Sequence, residues 1–246
     1  MTIHVKWLGH ASFQIKGADK VIYIDLKKYG KMVETPEKAD IVFVTHNHGD
    51  HCSPEKIQKL SKRDTLIIAP KDCVKRIAGN VKSLKPGETT THQEAIVEAV
   101  EAYNTKRFKT SGKPWHPKGY GVGYLIRADG KTIYHAGDTD FIQEMRQLKN
   151  IDLALLPTGD KYTMDSKEAA EAVALIKPKL AMAMHTWDTN REEFKKQVEA
   201  LSKTKVILLQ EGEEYQLNWE SAYSKKLSEV FYSGSIKHIG YHRSES

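Results

Sequence analysis

The sequence is short of the features that mark secreted or membrane proteins. Only two cysteines, Cys52 and Cys73, occur in 246 residues, too few for the disulfide framework that staples small secreted domains. Cys52 directly follows a histidine-rich segment, yet the ordinary use of such a residue is as a small buried thiol. No apolar run approaches the roughly 20 residues needed to span a bilayer, so no membrane partner is expected. The opening Met1-Thr2-Ile3-His4-Val5-Lys6 lacks the apolar core of a signal peptide, which argues for a cytoplasmic location. There is no internal repeat and no linker-like boundary. A single domain over 1–220 is expected, with a serine-rich, scattered-basic tail over 221–246. The formal charge of +6 is modest for this length. It permits anionic partners and leaves nucleic acid open without arguing for it; a homo-oligomer is left open in the same way.

What is present in unusual density is histidine. Val44-Thr45-His46-Asn47-His48-Gly49-Asp50-His51 places three histidines and an aspartate at the end of the apolar run Asp40–Thr45, which reads as a buried strand. Imidazole and carboxylate at this spacing are metal-binding groups. In an extended segment His46 and His48 share a face. Gly49 then lets the chain turn, bringing Asp50 and His51 towards a second position. Two adjacent ligand pairs imply two neighbouring ions. Two later strand candidates end similarly: Lys131–Ala136 runs into Gly137-Asp138, and Lys179–Met184 into His185. Asp138 is placed to bridge the ions and His185 to complete the second.

With these residues the chain resembles the metallo-β-lactamase superfamily, whose signature is His-x-His-x-Asp-His followed by a bridging Asp and a final His. Trp7-Leu8-Gly9-His10-Ala11-Ser12-Phe13, Tyr134-His135-Ala136-Gly137-Asp138-Thr139, Leu155–Met164 and Met184-His185 are similar to the branch that includes ascorbate-6-phosphate lactonase and many metal-dependent hydrolases of unassigned substrate. The resemblance implies an α/β fold, an αββα four-layer sandwich of two mixed sheets with outer helices, with the metals at one edge between the sheets. One departure is plain: where the branch often has Ala-x-His, this chain has Ala102-Tyr103-Asn104. His116, in the same loop, is the expected substitute ligand, and Asn104 a weak or absent one.

The coarse pattern fits that architecture. Strands are expected at Ile3–Leu8, Ser12–Lys16, Val21–Asp25, Thr65–Ala69, Asn80–Lys85 and Ala95–Tyr103. Tyr120–Arg127 and Lys131–Ala136 form a hairpin about Asp129-Gly130, followed by Ile151–Leu156, Val206–Gln210 and Tyr215–Trp219. Helices are expected from Ser53-Pro54 to about Lys62, over Pro70–Ala78 and Asp140–Leu148, after the Asp165-x-x-Glu168 box, and from Asn190 to about Ser202.

Such a site supports hydrolysis. Two divalent ions about 3.5–4 Å apart lower the pKa of a shared water to about 7 and hold the hydroxide for attack. Zinc is the first expectation, with manganese or iron as alternatives. His46, His48 and His116 would serve one ion, Asp50, His51 and His185 the other, with Asp138 between; Asp50 is also the expected catalytic carboxylate, orienting the water. Two dications against two carboxylates and a hydroxide leave a positive charge, so a small anionic ester, lactone or phosphodiester is the expected substrate. The loop Asn104–Gly119 carries five basic residues and no acid. Lys106 and Arg107, with Lys161 and Tyr162, are candidate substrate contacts. His10 and His135 read as packing or outer-shell histidines. The alternatives are a metal-dependent nuclease or RNA-processing enzyme, and a metal-dependent binding protein without turnover. A flavo-diiron redox protein would need a flavin domain for which the chain is too short.

Overall fold

Apolar residues alternate between two interiors, and that alternation builds the layers. In the computed structural model, which describes residues 2–17 and 19–218, Ile41 and Phe43 point between two sheets, while Val42 and Val44 point outwards beneath helices. Ile22 and Ile24 against Tyr23, and Leu66 and Ile68 against Ile67, divide in the same way. Strands covered on both faces read as continuous apolar runs, as these do.

The first sheet holds β1 (Ile3–Gly9), β2 (Ser12–Lys16), β3 (Val21–Ile24), β4 (Ala39–Phe43), β5 (Ser61–Ala69) and β6 (Asn80–Ser83). The second holds β7 (Thr89–His92) and β8 (Ala95–Ala102), then, after the separate small hairpin β9 (Phe108–Thr110) and β10 (Lys113–Pro114), β11 (Gly121–Ala128), β12 (Lys131–His135), β13 (Leu153–Pro157), β14 (Leu180–Met184) and β15 (Lys205–Val206). The last strand, β16 (Glu214–Leu217), returns to the first sheet beside β1. Each seven-stranded sheet has three antiparallel pairings followed by three parallel ones. Helices α1 (Pro54–Leu60) and α2 (Lys71–Val74) accompany the first sheet, and α3 (Ser166–Ile176) and α4 (Arg191–Leu201) pack together beside the second. This is the expected metallo-β-lactamase sandwich of two mixed sheets with outer helices.

Local chemistry explains most boundaries. Ser53 accepts from the Lys56 N–H at the start of α1, with Pro54 in the first turn. Asp165 and Glu168 form a reciprocal capping box on α3. Asp129 and Gly130 both take positive φ, as a tight hairpin of this twist requires. Several elements differ from expectation. The helix expected over 140–148 is only a 3-10 turn, Gln143–Gln147, because the Asp140 carboxylate is occupied by the 104–107 loop. The helix after Pro70 stops at Val74; Pro70 supplies no side-chain cap. Val206–Gln210 forms a strand only at Lys205–Val206, while Ser61–Asp64 joins β5 and Thr89–His92 pairs with β8. The expected tail over 221–246 lies outside the described residues. Among the described residues no helix is long and apolar enough to cross a membrane.

Candidate metal centre

The carboxyl ends of β3, β4, β8, β12 and β14 meet at one edge, the usual ligand position in sheets of this kind. Beyond β4, the Val44 N–H donates to Ile68 O and the Val122 N–H to Thr45 O, both at 2.9 Å, so His46 leaves a fixed backbone. The N–H groups of His51 and Cys52 then both donate to His48 O, closing the turn that separates His46 and His48 from Asp50 and His51. Gly137 delivers Asp138 from β12: its φ is +65°, and a Cβ there would lie 2.8 Å from Val122 O.

Three imidazoles form the first group. His46 Nε2 and His116 Nε2 lie 3.1 and 3.2 Å from His48 Nδ1. Their outer partners settle the tautomers. Thr45 Oγ1 donates to Asp25 and so accepts from His46 Nδ1 at 2.9 Å. His116 Nδ1 donates to Asn104 Oδ1 at 2.9 Å. Both Nε2 atoms therefore point inwards as bare lone pairs, with at most one proton on His48 Nδ1 to share. Burial keeps the rings neutral, lowering His46 well below the ordinary imidazole value and His116 to about 4. Converging neutral imidazoles are what a divalent cation binds.

The second group comprises His10, Asp50, His51 and His185, whose donor atoms lie within 4.8 Å of one another. His51 Nδ1 donates to the buried Asp25 carboxylate at 2.7 Å, which turns Nε2 inwards. Burial would lower this imidazole, but Asp138 and Asp25 raise it well above the usual range; a cation answers the same two carboxylates. Burial would raise the Asp50 carboxyl, yet its hydrogen bond with His10 and the charge of His51 hold it below the ordinary range.

Asp138 joins the groups. Its Oδ2 is 3.3 Å from His116 Nε2 and 3.1 Å from His185 Nε2, and its Oδ1 is 3.4 Å from His51 Nε2. His51 Nε2 and Asp138 Oδ1 are buried without a hydrogen-bond partner, the condition that a metal ion relieves. The residues present thus fit two cations sharing one carboxylate.

All seven histidine and aspartate candidates converge here, His116 included. Asn104 does not face the cluster. It accepts from the N–H and Nδ1 of His116 and donates to Asp140 and to Tyr162 O. His135 packs, bonded to Ala11 O at 3.0 Å. His10 stands closer to the chemistry than a packing residue: its ring is 4.0 Å from that of His185 and its Nε2 3.2 Å from Asp50. The tight turn Gly9-His10 at the end of β1, with positive φ at both residues, puts it there.

The basic loop needs correction. Lys106 pairs with Glu168 at 2.6 Å, and Arg107 is enclosed by Asp140, Asp160 and Glu168. Neither lines the cleft above the cluster, because carboxylates from the loops after β12 and β13 and from α3 neutralise both. Lys161 is exposed, its amine over the Tyr162 ring; Tyr162 does line the cleft, together with Lys27 and Lys109. Asp25 and Lys27 were missed in the sequence, and Lys109 counts among the five basic residues of the loop without being singled out there. Asp25 had a signal: it ends a strand, like the ligands.

A family model described as a beta-lactamase superfamily domain matches residues 4–185. The chain belongs to the metallo-β-lactamase superfamily. A Pyrococcus abyssi relative named UPF0173 metal-dependent hydrolase is 38% identical over 232 residues, covering 87% of this chain and 100% of the relative. One of the same name from Pelotomaculum thermopropionicum is 33% identical over 227 residues, covering 87% and 99%. A solved structure from Parabacteroides distasonis, described as a metal-dependent hydrolase, superposes with a TM-score of 0.77 at 36% identity, covering 86% of this chain and 94% of that one. With these relatives, this superfamily member is a metal-dependent hydrolase.

Proposed function

We propose that the chain is a dinuclear hydrolase of small anionic esters, lactones or phosphodiesters, with zinc the first expectation for both ions. The observation that carries this is Asp138, one buried carboxylate within 3.4 Å of imidazoles from both donor groups. Bound there, paired cations supply Lewis acidity and a nucleophilic water of lowered pKa. His46, His48, His116 and Asp138 would hold one ion, and Asp50, His51, His185 and Asp138 the other. The protein's own part is positional. Asp25 fixes Thr45 and, through it, His46, and also fixes His51; Asn104 fixes His116. Asp50, a third exposed at the cleft, is placed to accept a hydrogen bond from the attacking water and orient it. Fixed imidazoles and carboxylates at a largely buried floor reorganise little during reaction.

The test is elemental analysis of the full chain followed by hydrolysis assays on ester, lactone and phosphodiester panels. Two ions per chain and chelator-sensitive turnover are expected. One ion per chain, with the second group empty and turnover intact, would overturn the dinuclear reading. The relatives described above are named for no substrate, and the cleft over the cluster, about 640 Å³, has the size of a small-molecule site. The small-molecule reading is therefore preferred to the nuclease.

A further inference from the structure

The cleft over the cluster has a volume of about 640 Å³, far more than a single scissile ester fills and within the range of drug-sized ligand sites. Its lining is uneven. Trp115, Tyr162 and Trp187 follow one another as an angled aromatic wall, edge to face at 89° with centroids 4.7 Å apart for the first pair and tilted by 54° at 5.8 Å for the second. Trp187 is 53% exposed, although a large indole ordinarily seeks cover. It stands against His10 and His185 at 5.4 and 5.8 Å, so the wall reaches the metal groups. Both His185 and Trp187 have positive φ, a conformation that side-chain-bearing residues adopt at a cost. Tyr29, 64% exposed, lines the same mouth.

Charge is equally uneven. Lys106, Arg107 and Lys118 are neutralised by carboxylates. Lys109 makes no ion pair among the described residues; its amine lies 5.2 Å from the Trp115 ring centroid, over the wall. Its charge also presses on His48. Lys27, from the segment after β3, lines the cleft as well and likewise makes no ion pair among the described residues. The carboxylate of Glu211 lies near its amine, since both would crowd a Cβ at Gly9. Lys109 is therefore the freer of the two.

Resting on the hydrolase reading above, we propose that the cleft takes a substrate with two recognition elements besides the bond cleaved: a planar aromatic body stacked on the exposed Trp187 indole and flanked by Tyr162 and Trp115, and a second anionic group bound by Lys109. Aromatic faces favour a flat partner over a saturated ring of similar size. An amine already held over an indole loses little further freedom on meeting an anion.

The test uses calorimetric titration of the zinc-loaded full chain with three carboxylates. Each can place one carboxylate at the metals. Naphthoate is expected to bind several-fold tighter than cyclohexanecarboxylate, and naphthalenedicarboxylate, with its second anion at the far end of the ring, several-fold tighter again. Trp187→Ala should erase most of the first preference and Lys109→Gln the second, each leaving the other in place. Equal affinity for the three probes, or preferences unmoved by both variants, would overturn the proposal. Hydrolysis of the anionic ester, lactone and phosphodiester panels by the same protein reports separately on the hydrolase reading. Its absence with the probe preferences intact would refute turnover alone, and turnover with no preferences would refute the recognition site alone.

Discussion

Replacing Asn104 by alanine should weaken the first metal group without touching a ligand. The amide is buried and makes four side-chain hydrogen bonds: from the His116 N–H at 2.8 Å and Nδ1 at 2.9 Å, to Asp140 Oδ1 at 3.1 Å and to Tyr162 O at 2.9 Å. Alanine leaves two His116 donors unpaired in a buried place, and the ring loses the contact that fixes its tautomer. Unpaired buried donors cost about 1–3 kcal/mol each, discounted here for local relaxation, so a stability loss of about 2–4 kcal/mol is expected in the metal-free protein. Loss of the outer partner of a ligating histidine typically weakens metal affinity about 10–100-fold. The assay is competition for zinc against a chromophoric chelator, on Asn104→Ala, His116→Ala and the double variant. If Asn104 acts through His116, the double variant should bind about as weakly as His116→Ala alone. Asn104→Asp keeps the acceptor for His116 but sets a second carboxylate against Asp140. It should retain affinity for zinc while losing stability. Unchanged zinc affinity in Asn104→Ala, or additive losses in the double variant, would refute the account.

Chelation should abolish hydrolysis, and Asp50→Ala should do nearly as much while shifting the melting temperature less than a core truncation, because this side chain is a third exposed; turnover surviving in demetallated protein would contradict the mechanism. Arg107→Gln strips the counter-charge from the fully buried Asp140 and should cost about 3 kcal/mol in denaturant titrations with KM for an anionic substrate unchanged. Lys109→Gln should do the reverse, raising KM and flattening its rise with ionic strength. In the metal-free protein, His10 and His116 are lowered by burial from 6.5 to about 4. Between those values the unfolded chain binds more protons than the folded one, so stability should fall as pH drops from 6.5 to 4. His51, raised instead, opposes this slope only near pH 6.5, where the unfolded imidazole is still half protonated, and adds none well below it. Melts showing flat stability from pH 6.5 to 4 would contradict the buried neutral histidines.

The metal groups were legible in the sequence because their geometry is mostly local. Two-residue alternation, one glycine and three strand ends place His46, His48, Asp50, His51, Asp138 and His185, and no knowledge of distant packing is needed. His116 was reachable by elimination, since Asn104 stands where the resemblance calls for a histidine. What Asn104 does instead was not reachable. Its carbonyl holds the histidine that takes the vacated place, across 12 residues of loop, and Asp140 in turn holds the start of that loop through the N–H groups of Thr105 and Lys106. The basic loop was misread for the same reason. Charge on a loop is visible in sequence, but its neutralisation by Asp140, Asp160 and Glu168, which are 33 to 61 positions away along the chain, is a tertiary fact. The pairing of β1 with β16 is still less local, joining the two ends of the described chain. The substitution at Asn104 and the burial of Arg107 are then one arrangement. Arg107 and the loop N–H groups neutralise Asp140, Asp140 orients the Asn104 amide, and the amide presents His116 to the cluster. A histidine brought to such a cluster from a loop needs an anchor as rigid as a strand end, and this chain supplies one through Asp140.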